Sequence, residues 1–320
     1  MTPEAAPTQP RRKSRLWFFV RLAVTVATIA ALIHFVSLDD LLAAVRRIPL
    51  SALALCMLTV LAGQLAGVAR FQWLLDAYGA DRKLPWLEAL RLFFVAAFYN
   101  TYLPGAVAGD VIRAVAIRSC FTKSGLTGAL AVTFVERVTG VAGMLLLIAT
   151  VSFVRPLAGV SGLFVFSLLG LLAAVAAIAG IIVGRRLAPR LPGRLGTLAA
   201  GLPEIRNLGA LGLAVLSAIV THVCTALGFH AIMRSLTTSA SLAESLVIVP
   251  LACSAMYIPA TVAGAGTRDA AFVLLYRGVG VSPADSLAMS LAALVVTLLV
   301  AGLGAIANMF EPYEHPSAQA

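Results

Sequence analysis

Arg113 and Arg268 are the two residues whose type and setting most demand a chemical role. A guanidinium offers forked donors that match the edge of a phosphate or a carboxylate. Both Arg follow a Pro and a Gly-rich break inside otherwise apolar chain. A new helix can begin after such a break, with free N–H groups and its positive dipole end turned toward a cavity. Written one above the other, YLPGAVAGDVIRAVA from Tyr102 and YIPATVAGAGTRDAA from Tyr257 match without a gap at Tyr, Pro, VAG and Arg. Composition explains agreement at small residues but not at Tyr, Pro and Arg, so the segments read as copies of an internal duplication. The breaks are Pro104, Gly105 and Gly109 in the first copy, and Pro259, Gly264 and Gly266 in the second.

A charge at the centre of a bilayer costs roughly 2.5–3.5 kcal/mol on insertion scales, so such a residue faces the bundle interior and has a partner. Asp110, on the same helical face as Arg113, and Asp269, beside Arg268, are expected to hold the two Arg in place. Glu136 and Arg137 interrupt the apolar run 126–154, and Asn100 stands just before the first break. The candidate substrate-binding residues are therefore Arg113, Arg268, Asp110, Asp269, Glu136, Arg137 and Asn100. A plainer account stands beside this one: intramembrane acid–base pairs also neutralise each other and lock helices together. For Glu136 and Arg137, neighbours that point about 100 degrees apart on a helix, the two accounts weigh equally. A buried amide bonding across helices is the commoner explanation of Asn100. His34, His222 and His230 lack metal-ligand spacing and read as satisfied interior histidines, and the four Cys read as packing residues.

These side chains need a membrane bundle to position them. Hydrophobic residues are 60% of the 320 and charged ones only 12%, far more apolar than one soluble core requires. The expected fold is an all-α polytopic membrane protein of about six spanning helices plus two re-entrant helical hairpins forming an inverted-topology repeat. Spans are expected near 16–36, 50–74, 126–154, 160–184, 207–233 and 284–309. The hairpins are 87–118 and 242–277. Each starts with about 16 apolar residues and turns Gly-rich and charged after its Pro, too short and polar for an ordinary second span. The organisation is then a cytoplasmic basic tail at 1–15, one integral-membrane domain at 16–310, and a C-terminal tail at 311–320.

Orientation follows from charge, because cytoplasmic loops carry the excess of Lys and Arg. The richest clusters are RRKSR before Leu16 and GRRLAPRLPGR from Gly184 to Arg194. If 87–118 returns to the side it entered from, both clusters are cytoplasmic. Asp81, Arg82, Lys83, Arg113, Arg118 and Lys123 join them at that face, while Arg46, Arg47, Arg155 and Arg234 fall on the other. Three spans separate the hairpins, so the second enters from the opposite face.

The net charge of +10 is not accompanied by an aromatic–basic platform, so no nucleic-acid partner is expected. No GxSxG, HExxH, P-loop or complete GxGxxG occurs, and no Cys/His ligand spacing. The reading is of a protein that is not an enzyme and needs no cofactor and no metal.

The pattern LPGAVAGDVIRA, then FVERVTG from Phe134, then IPATVAGAGTRDAA resembles the lysylphosphatidylglycerol synthase transmembrane family, a flippase-like domain, from about Leu16 to Phe310. Two positions depart from the family pattern: Ala108 replaces the first Gly of GGD, and Asp269 stands where Glu is common. The resemblance implies a stand-alone member without the aminoacyl-transferase domain, so synthase activity is not expected of it. It implies lipid translocation or handling, with phospholipid, glycolipid or polyprenyl-phosphate as cargo. A flippase-like transporter in the cell membrane, multi-pass with a cytoplasmic N-terminus, is the first expectation. A non-transporting lipid-binding partner that presents substrate to a separate transferase is the second. An integral-membrane transferase is a distant third, since no nucleophile or base is evident. The expected partners are a membrane lipid substrate and a glycosyltransferase or other lipid-modifying enzyme.

Overall fold

The computed structural model describes residues 36–102, 108–122, 124–155, 163–193, 196, 204–255 and 266–310. The expected first span, apart from Val36, lies outside the described residues, as do Pro104, Gly105, Pro259, Gly264 and both tails. Ten α-helices are described: α1 (Leu38–Arg47), α2 (Leu50–Ala77), α3 (Trp86–Tyr102), α4 (Ala108–Ala116), α5 (Gly125–Val154), α6 (Leu163–Leu187), α7 (Leu208–Leu236), α8 (Leu242–Ser254), α9 (Thr267–Arg277) and α10 (Pro283–Phe310). There is no strand among the described residues. Five helices, α2, α5, α6, α7 and α10, are long and apolar enough to cross a membrane. The protein is an all-α polytopic membrane protein. Its lipid-facing character is visible in large outward leucines along the spans, among them Leu58 on α2 and Leu299 on α10.

The span boundaries agree with expectation to within a turn. Helix α2 continues to Ala77 and α7 to Leu236, while α6 is described from Leu163. Helix α1 was not expected. It is too short to span, yet its ends are well made: Ser37 Oγ accepts from Asp40 N at 3.5 Å, Asp39 and Asp40 sit in the first turn, and Arg46 and Arg47 in the last. Arg47 pairs with Asp285 and donates to Leu236 O at 3.2 Å, tying α1 to the start of α10 and the end of α7.

The element order long–short–short–long occurs twice, as α2–α3–α4–α5 and again as α7–α8–α9–α10. The leading helices of the two units, α2 and α7, pack against each other more extensively than any other pair. They run antiparallel. At one end Arg206 N donates to Ala77 O at 2.7 Å and Asn207 Nδ2 to Asp76 Oδ2 at 2.8 Å. At the other, Gly228 lies on Cys56, so close that a Cβ on Gly228 would overlap the Thr59 hydroxyl. Between these ends Gly63 faces Cys224, and Ser217 Oγ donates to Ala66 O at 2.5 Å. Lipid gives helices no hydrophobic reason to associate, so small residues that admit close van der Waals contact and side-chain-to-backbone hydrogen bonds hold such a seam.

Each unit folds its two short helices into a hairpin. The first begins and ends beside Asp81: Thr122 N and Oγ1 both donate to Asp81 Oδ2, at 2.9 and 2.6 Å, and Asp81 N donates to Cys120 O at 2.8 Å. The second is tied at its base by Tyr276 Oη, which donates to Ser245 Oγ at 3.1 Å, with His230 Nδ1 2.9 Å from the same oxygen. Ser241 and Glu244 form a reciprocal capping box at the start of α8. The first hairpin opens near the end of α2 and the second near the end of α7. Because α2 and α7 are antiparallel, the hairpins open at opposite ends of the bundle. Two cores match this division. One gathers Phe71, Leu74, Ile117 and Val132 around the first hairpin, and the other gathers Phe229, Phe272, Tyr276 and Met289 around the second.

Candidate functional site

Helix α4 starts on the side of α3. Gly109 lies so close to α3 that a Cβ there would overlap the Ala96 carbonyl oxygen, so only Gly allows this approach. Its N–H donates to Asn100 Oδ1 at 2.9 Å, and Asn100 Nδ2 donates to Asp110 Oδ1 at 3.1 Å. Asn100 thus caps the new helix from across the hairpin and orients its first carboxylate. One turn on, Arg113 is 4% exposed and pairs with Glu136 on α5, with Asp110 Oδ1 at 3.6 Å. Its guanidinium lies over the rings of Phe71 and Phe93, 4.5 and 5.1 Å from their centroids, where cation–π attraction replaces part of the lost hydration.

Glu136 also accepts from Arg70 on α2 at 3.3 Å, and Asp110 accepts from Arg137 Nε and Nη2 at 2.6 and 2.5 Å. Asn100, Asp110, Arg113, Glu136 and Arg137 therefore share one polar network. Arg70 belongs to it and was not among the expected residues. The signal was available, since Arg70 is a charged residue inside the span expected at 50–74, the feature that singled out Glu136. The named members, three Arg and two carboxylates, sum to a net charge of +1. Arg113 was expected at the face of the membrane with Arg118. Its side chain is buried between α2, α3 and α5, as expected of a charge that faces the bundle interior.

The second copy is built differently. Gly266, with φ +88°, takes a backbone conformation that L side chains rarely adopt, and its N–H donates to Asp269 Oδ2 at 3.0 Å. Arg268, 4% exposed, donates to Asp269 Oδ1 at 3.0 Å and to Ser290 O at 3.3 Å. Ser290 Oγ completes the set by donating to Asp269 Oδ1 at 2.5 Å. Arg113 reaches a residue 23 positions later and Arg268 one 22 positions later, in each case on the long helix that closes its unit, so the partner positions differ by one residue. The partners named for the two Arg do not overlap. In both Arg the buried Nε is without a hydrogen-bond partner.

Other expected residues take structural places. His222 Nε2 lies 3.0 Å from Gly140 O, and His230 contacts Ser245. Tyr102 Oη donates to Leu298 O at 2.9 Å, joining α3 to α10. His34 and Tyr257 are outside the described residues.

The sequence matches the family model described as the lysylphosphatidylglycerol synthase TM region over residues 18–304. The chain belongs to this family. The match takes in both pairs of short helices, both polar networks and the seam between α2 and α7, and ends within α10. No curated protein matches the sequence significantly.

Proposed function

We propose that the protein is a flippase-like transporter that moves a phosphate-bearing lipid across the cell membrane and has no enzymatic activity of its own. The observation that carries this reading is the pair of buried Arg at matched positions, each on the return helix of a hairpin, in hairpins that open at opposite ends of the bundle. Read as re-entrant hairpins of an inverted-topology repeat, they bring a cationic helix start toward the midplane from each face, as alternating access requires. Buried guanidiniums that retain an unused Nε donor are suited to a phosphate that arrives and leaves. The Arg113 network, with its net positive charge, supports an anionic headgroup over a cationic one.

The orientation proposed is N-terminus cytoplasmic. Arg82, Lys83, Arg118, Arg185, Arg186, Arg190 and Arg206 gather near the end where the first hairpin opens, in keeping with the positive-inside rule. Transport needs no nucleotide: one charge moved through 100 mV supplies about 2.3 kcal/mol.

Reconstitution in liposomes carrying fluorescent phospholipid or polyprenyl-phosphate probes tests the reading. Inner-leaflet probe should become accessible to an external quencher faster than in empty vesicles, and Arg113→Gln with Arg268→Gln should remove the acceleration while leaving folded yield measurable. If no probe crosses faster, with or without a gradient, while lipid still binds stoichiometrically, the protein presents lipid to a separate enzyme instead.

A further inference from the structure

Glu136 is seated between two guanidiniums in a way that leaves each of them half used. The residue is 3% exposed, and its carboxylate accepts from Arg70 Nη2 on Oε1 at 3.3 Å and from Arg113 Nη2 on Oε2. The Nη2–H and Nε–H of one guanidinium point the same way and form the fork that grips the edge of a carboxylate or phosphate. Arg137 shows the fork in full use, since its Nε and Nη2 both reach Asp110 Oδ2. In Arg70 and Arg113 only the Nη2 prong holds Glu136, and the buried Nε of each has no hydrogen-bond partner among the described residues.

Glu136 thus brings two oxygens and a single charge to a pair of cations. Asp110, 3.6 Å from Arg113, is divided between that residue and Arg137. A buried donor without a partner is costly, and two such donors flank this one seat. A phosphate monoester brings three unesterified oxygens and a charge of about −1.5 to −2 near neutral pH. A phosphodiester brings two oxygens and one charge, no more than Glu136 does. The seat therefore suits a monoester better than it suits its present occupant. The Arg268 network offers no such seat, because Asp269 meets a single Arg among the described residues.

We propose that Glu136 is a built-in stand-in for the substrate's phosphate, displaced when a lipid phosphate monoester arrives and is gripped by Arg70 from α2 and Arg113 from α4. Glu136 plays this part only if Arg113 meets the headgroup, so the proposal rests on the function given above and narrows it to one substrate class: lipids that end in a phosphate, as phosphatidic acid and polyprenyl monophosphates do. Exchanging one anion for another keeps the two guanidiniums paired in the interior, where an unpaired charge is strongly unfavourable. It also moves a tie between helices. Glu136 joins α5 to Arg70 and Arg113, whereas the bound phosphate joins α2 to α4 and releases α5.

The test is calorimetric titration of the full chain in detergent with short-chain phosphatidic acid, with phosphatidylglycerol of the same chains and with inorganic phosphate. The wild type should bind phosphatidic acid most tightly of the three. Glu136→Gln removes the stand-in and should bind phosphatidic acid about tenfold more tightly than the wild type, and that lipid should restore the Tm the variant loses. Arg70→Gln should bring phosphatidic acid and phosphatidylglycerol to equal affinity. No gain of affinity in Glu136→Gln overturns the proposal, and so does a Glu136→Gln chain that cannot be folded even with phosphatidic acid present. Wild-type binding of phosphatidylglycerol or free phosphate as tight as that of phosphatidic acid overturns it as well, as does an undiminished preference in Arg70→Gln. If probes cross liposome membranes while Glu136→Gln gains no affinity, transport stands without the stand-in; if affinity is gained and no probe crosses, the site stands and transport falls.

Discussion

Arg113 and Arg268 stand at matched positions of two similar sequence segments, and the protein neutralises them in different ways. Arg113 takes its main counter-charge from another helix, Glu136 on α5, and shares it with Arg70. Arg268 takes its own from the adjacent residue, and the closing helix contributes only the hydroxyl and carbonyl of Ser290. The first arrangement joins α2, α4 and α5 through charge, so a shift of any one disturbs the others. The second is nearly self-contained: Asp269 caps its own helix and holds Arg268, and α9 carries a neutral pair wherever it goes. The contrast teaches that a cation at matched sequence positions does not dictate where its compensating charge comes from. It also makes the first network the more cationic and the more sensitive of the two.

Removing each counter-charge gives the largest test. Glu136→Gln takes the shared carboxylate from Arg113 and Arg70 at once, leaving Arg113 only Asp110 at 3.6 Å; breaking a buried pair costs about 3–5 kcal/mol, so folded yield and Tm in detergent should fall sharply. The double variant Arg113→Gln/Glu136→Gln should recover part of the loss. Asp269→Asn should cost less, because the amide oxygen can still accept from Ser290. Equal losses in Glu136→Gln and Asp269→Asn would erase the distinction between the networks.

A smaller effect is expected at Ser290→Ala. It removes a hydrogen bond to a charged group, about 1.5–3 kcal/mol, and should lower Tm without altering which lipid probes are handled. The smallest effect on stability belongs to Arg137→Gln. Its side chain is 37% exposed, and an ion pair that solvent reaches contributes about 0–1 kcal/mol. Thermal unfolding should hardly change, whereas the rate for an anionic probe should drop, since the first network loses its surplus positive charge. A large Tm loss in Arg137→Gln would place that residue with the structural pairs.

The long helices were legible because each depends on local pattern, runs beyond 20 apolar residues, while Pro104, Gly105, Pro259 and Gly264 at the expected breaks lie outside the described residues. The membership of the Arg113 network was also largely legible, since a charge in an apolar run needs an interior partner. What could not be read was who pairs with whom. Arg70 meets Glu136 across 66 residues and Arg137 meets Asp110 across 27, distances closed only by the packing of α2, α4 and α5. The directions of Glu136 and Arg137 were foreseen as divergent, and the structure sends one to Arg113 and the other to Asp110. Helix α1 escaped because four of its ten residues are charged, and what it makes of Arg47 depends on Asp285, far along the chain.

The seam between α2 and α7 carries a mechanical consequence. Gly228 sets the two backbones into one another like a dovetail joint, and the Asn207–Asp76 bond pins the other end. A joint of that kind resists sliding by anything less than a full helical turn, because intermediate positions drive a side chain into a backbone. Whatever the molecule does in a membrane, this pair is then its fixed frame, and displacement is borne by the short helices hung on either side of it.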